Sequence, residues 1–69
     1  MDTRSDRQPT YFLRYRSLFD EGRGYAFPCD AAGHVRIDVL SDKAMLNYLF
    51  ARAMVGRELR PPSIEGPLH

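Results

Sequence analysis

Hydrophobic and polar residues alternate with a period of two near the start of the chain and with a period near 3.6 towards its end, and that change sets the expected elements. From Thr10 to Leu18, Tyr11, Leu13 and Tyr15 fall on one side and Arg14 and Arg16 on the other, which is the pattern of a strand with one buried face. In the next stretch, Asp20-Glu21-Gly22-Arg23-Gly24, both glycines tolerate positive φ, so the chain is expected to reverse and pair a second strand, about 25–28, with the first. Pro28 has no N–H to give to a ladder, so this strand either ends there or lies on a sheet edge. Asp30-Ala31-Ala32-Gly33 reads as a turn, and Val35, Ile37 and Val39 alternate with Arg36 and Asp38 as a third strand, about 34–40, that could pair with either neighbour.

A helix follows over about 42–56. Ser41 is a good N-cap, no Gly or Pro interrupts Ala44 to Val55, and Gly56 suits the position just past the C-terminus. At 100° per residue, Met45, Leu46, Leu49, Phe50, Ala53 and Met54 cover an arc of roughly 180°, wide enough to seal the sheet. Ala44, Tyr48, Ala51 and Val55 gather within roughly 60° on the other side, and only Asn47 and Arg52 separate the two arcs. This second apolar arc is the candidate protein interface. The plainer reading is a half-exposed Tyr48 among alanines that simply favour helix.

The expected fold is therefore α+β: a three-stranded antiparallel sheet (about 10–18, 25–28 and 34–40) with one C-terminal helix packed on one face. Its core would be Tyr11, Leu13, Tyr15, Tyr25, Phe27, Val35, Ile37, Val39, Met45, Leu46, Leu49, Phe50 and Ala53. Residues 1–9 are polar and charged apart from Met1 and are expected to form a flexible arm. Arg60-Pro61-Pro62 should stop the helix, which leaves 10–60 as a single domain and 61–69 as a flexible tail.

Composition changes this picture in one respect. With 69 residues the chain has room for one core, and a core that small supplies only roughly 3–5 kcal/mol unless something staples it. A single cysteine, Cys29, cannot form an internal disulfide, and two histidines, His34 and His69, are too few for a histidine-based metal site. Oligomerisation is the staple that remains. No cofactor or metal is expected. The absence of a signal-peptide pattern or a long apolar run makes the cytoplasm the expected location and excludes a membrane partner.

A net charge of +1 implies no bulk attraction to phosphate. Arginine nevertheless makes up nine of the ten basic residues, and Arg14, Arg16 and Arg36 would share the sheet face away from the helix, beside Phe12 and Asp38. With Arg23 between two glycines at the hairpin tip, they form the candidate anion or nucleic-acid site, against the plainer reading of a solvated face and an ordinary turn. Cys29, Asp30 and His34 could be read as nucleophile, orienter and base, but their spacing fits no zinc motif and nothing marks an oxyanion site. No carboxylate pair is spaced for acid–base work. The sequence thus names no function outright. The leading expectation is a non-enzymatic, self-associating protein-interaction module, and the alternative is a nucleic-acid or anion binder.

Overall fold

The computed structural model describes residues 10–66, so the arm expected at 1–9 and the last part of the expected tail, 67–69, lie outside the described residues. Along the chain run β1 (Tyr11–Arg16), β2 (Gly24–Cys29), a 3₁₀ turn (Ile37–Val39), α1 (Asp42–Met54) and β3 (Ser63–Glu65). The α+β class holds, with a three-stranded antiparallel sheet and one helix, and the strand order is β2-β1-β3. Because β2 and β3 both run antiparallel to β1, they are parallel to each other, and α1 carries the chain from one edge of the sheet to the other.

The register follows from the period-two pattern. Tyr11 stands opposite Cys29, Leu13 opposite Phe27 and Tyr15 opposite Tyr25, so these side chains share the face under the helix. Leu13, Tyr15, Phe27, Cys29, Ala51 and Leu59 are buried there. The Phe27 ring meets Tyr15 edge-on at 6.0 Å and Tyr48 at 5.2 Å, so aromatic packing links the sheet to the helix. Pro28 occupies an edge strand, as its missing N–H requires. At the start of β2, Gly24 has φ +147, and a Cβ there would collide with the Tyr15 carbonyl oxygen, so the close pairing of the hairpin needs this glycine.

The third strand is not where the alternation put it. Only Val35 of the 34–40 segment bridges the sheet, opposite Cys29, and the chain then turns through Ile37–Val39 with Ile37 and Val39 exposed. The Asp30 loop brings it in, with the Asp30 N–H donating to the His34 carbonyl and the Arg36 N–H to the Pro28 carbonyl. The segment must then leave the sheet edge to reach the Ser41 cap, whose hydroxyl accepts from the Ala44 N–H at 3.1 Å.

The third strand comes instead from the stretch expected to be tail. Leu18 and Arg60 N–H groups donate to the Glu58 and Arg16 carbonyls at 2.8 Å, and β3 then pairs Arg14 with Ser63, Leu13 with Ile64 and Phe12 with Glu65. Pro61 and Pro62 stand where the pairing slips by one residue opposite Tyr15, as a bulge on an edge strand permits. The helix closes two residues earlier than expected: Val55 is already extended and Gly56 takes φ +85, and the Arg57, Glu58 and Leu59 N–H groups all donate to the Met54 carbonyl.

The helix is also rolled over relative to the expectation. Ala51 is completely buried, and Tyr48, Met54 and Val55 pack against the core with it. Leu46, Leu49, Phe50 and Ala53, expected to seal the sheet, are exposed. The inward side chains of β1 and β2 already include three large rings, Tyr15, Tyr25 and Phe27, so the helix approaches closely only through its small residues, with Tyr48 laid against Phe27.

Candidate interaction surface

The feature that stands out is the solvent face of α1. Leu46, Leu49 and Phe50 are 67%, 51% and 44% exposed, and with Ala53 they form an i, i+3, i+4, i+7 stripe uninterrupted by charge. Asp42 and Lys43 lie at the N-terminal end of the stripe, and Arg57 lies beyond the C-terminal end. The stripe continues sideways, because the Phe50 ring meets Tyr25 edge-on at 6.1 Å. Beside that pair an open depression of about 410 Å³ is lined by Phe19, Tyr25, Phe50 and Leu59, together with Arg23 and Glu58. Phe19, at the hairpin, is 80% exposed. A single exposed leucine is ordinary on a protein surface, but a contiguous group of large apolar side chains on one helix face is not, which makes this face the candidate contact surface.

The expected interface residues lie on the opposite side. Ala51, Tyr48 and Val55 belong to the domain's own core and Ala44 is half-buried, so the arc of Ala44, Tyr48, Ala51 and Val55 faces the sheet and the stripe above is the outward one. Sequence periodicity showed that two apolar arcs exist. It assigned the outer one wrongly because arc width, the signal used, does not report which arc fits an aromatic floor.

Arg14 and Arg16 do share the sheet face away from the helix, where both hold Glu65: Arg14 Nε donates to Oε1 at 3.0 Å and Arg16 Nη2 to Oε2 at 2.7 Å. These bonds, that from Arg16 foremost, hold the Glu65 carboxyl below its ordinary range. Glu65 reaches the two arginines only through its pairing with Phe12 across β1 and β3, which the local sequence does not signal. Arg23 pairs with Asp20 at 3.3 Å across the hairpin turn. Arg36 is not on a strand, so the expected three-arginine face does not form, and Asp38 is in the 3₁₀ turn. Among the described residues, three of the four candidate anion-site arginines are thus engaged by carboxylates of the same chain.

Asp30 organises its own loop. Oδ1 accepts from the Ala32 and His34 N–H groups at 2.9 and 2.8 Å, and Oδ2 lies 3.2 Å from His34 Nδ1. The backbone bond from His34 is the main reason its carboxyl lies below the usual range. Cys29 is buried, and burial, aided by the nearby Asp30 charge, pushes its thiol above the ordinary value, the reverse of what activates a nucleophile. Among the described residues no group of three or more His, Cys, Asp or Glu is placed to hold a metal ion, and no helix is long and apolar enough to cross a membrane. No protein-family model, no curated protein and no solved structure matches this chain, so its function is argued from its own surface.

Proposed function

We propose that this chain is a small, non-enzymatic protein-interaction module that self-associates through the solvent face of α1. The observation that carries the reading is the exposed stripe of Leu46, Leu49 and Phe50. The small core supports it, since only six residues are buried among those described and none of them is a fully buried large side chain. Association removes the stripe from water at roughly 25 cal/mol per Å² of apolar surface, stabilisation that the single domain does not collect.

The test is the molar mass of the full chain in solution, by sedimentation or light scattering, across a concentration series from about 1 µM to 1 mM, the span of weak to moderate association. The wild-type mass should rise above that of one chain. The Leu46→Glu/Leu49→Glu variant should stay monomeric with an unchanged circular-dichroism spectrum, since both side chains face solvent in the single domain. A wild type that remains monomeric throughout overturns the proposal.

A further inference from the structure

Resting on the reading that α1 binds a second copy, we infer that the two helices pair antiparallel, with the two-fold axis passing between Leu49 and Phe50. The stripe is complementary to itself in this direction. Pairing each residue i with 99 − i, Leu46 of one copy lies on Ala53 of the other at both ends, a large side chain against a small one. Leu49 and Phe50 of both copies fill the centre. Parallel pairing would stack Leu46 on Leu46 and leave Ala53 facing Ala53, with a gap between the backbones at one end.

Charge points the same way. Antiparallel pairing sets the first turn of one α1, which carries Asp42, beside the C-terminal end of the other, just past which Arg57 follows, and symmetry repeats this at the other end. Arg57 is held at the helix C-terminus by its N–H on the Met54 carbonyl at 2.9 Å. Neither Asp42 nor Arg57 has an ion-pair partner among the described residues. The positive end of each helix dipole also lies beside the negative end of the other, whereas a parallel pair sets Asp42 against Asp42 and aligns like ends.

Size sets the strength. A 13-residue helix is about 20 Å long and about 10 Å wide. Even with the flanking Phe19, such a face falls short of the roughly 800 Å² per partner of a standard stable interface, so the pair belongs to the weak, concentration-dependent class.

The experiment uses two charge reversals, Asp42→Arg and Arg57→Asp, in the full chain. Each variant alone sets like charges against each other at both ends and should raise the dimer dissociation constant about tenfold. An equimolar mixture restores opposite charges at both ends of the mixed dimer, so it should recover a dissociation constant within about threefold of wild type, and that of neither variant alone. Helix stability is the same in mixed and unmixed samples, so recovery on mixing cannot come from folding. A wild-type dimer that neither variant alone weakens, or a mixture that binds more tightly than wild type, is the outcome of a parallel pair; either one overturns the register and leaves self-association standing. A monomeric wild type overturns both.

Discussion

Exchanging alanine for leucine at two helix positions two residues apart tests which face of α1 meets the sheet. Ala51 is 0% exposed against the sheet, while Ala53 faces solvent. Helix propensity costs the same at both sites and cancels, which leaves packing alone. At Ala51 the three added carbons must enter the core cluster in which the alanine is already completely buried, and overpacking of that kind costs about 1–3 kcal/mol. At Ala53 they enter solvent, where changes stay within about 0.5 kcal/mol. For a domain this small each kcal/mol moves the midpoint of thermal unfolding by about 4–8 °C, so Ala51→Leu should melt at least about 4 °C below wild type and Ala53→Leu within about 4 °C of it. Circular-dichroism melts and urea titrations at a few micromolar, where weak association contributes little, give both numbers. If Ala53→Leu is the more damaging of the two, the helix is rolled the other way and the exposed stripe does not exist.

Three further outcomes follow from particular contacts. Gly24→Ala should destabilise by about 1–3 kcal/mol in a urea titration, because its Cβ meets the Tyr15 carbonyl oxygen and its φ is one that L side chains rarely adopt. Glu65 and Asp30 have carboxyls lowered in the folded state, so their contribution is fully present above the ordinary values of 4.5 and 3.8 and is lost as pH falls through the folded ones. Glu65→Gln should therefore lower stability at pH 7 and flatten its fall below about pH 4.5, and an unchanged urea midpoint at both pH 7 and pH 3 would refute the Arg14–Glu65–Arg16 cluster. Cys29 should react with iodoacetamide at pH 7 at least about tenfold more slowly than the urea-unfolded chain, since its thiol is buried and raised; equal rates would show that the thiol is open to solvent.

Where local pattern and tertiary contact agreed, the sequence was a good guide. Tyr11, Leu13 and Tyr15 alternate because β1 is central and buried on one face, and Ser41 and Gly56 mark the helix ends through capping chemistry that depends on a few neighbours. It misled where a long-range partner decided the outcome. Val35, Ile37 and Val39 have the alternation of a strand, yet past Val35 the chain leaves the edge of β2 and turns towards the helix cap. Ser63–Glu65 has almost no pattern of its own and becomes a strand because the free edge of β1 lies beside it, and that pairing is also what brings Glu65 to the two arginines.

The roll of α1 departs furthest from what the apolar pattern implies, and its cause bears on function. Counted by apolar area alone, the wide arc should have gone inward, since Leu46, Leu49 and Phe50 would each return roughly 1.5–3 kcal/mol on burial. That gain requires room beneath the helix. Tyr15, Tyr25 and Phe27 occupy that space, and a helix can lie against such a floor only by presenting Ala51 and half-buried Ala44, with a single ring, Tyr48, set edge-on to Phe27. Steric fit thus overrides area, and it leaves the larger apolar arc outside. A 69-residue chain has no second layer among its described elements to cover that arc. The same aromatic floor that orders the core therefore creates the exposed stripe. Trimming the floor, for instance with Phe27→Ala, should loosen the helix from the sheet and weaken self-association along with stability, because the stripe is presented only while α1 is held in this roll.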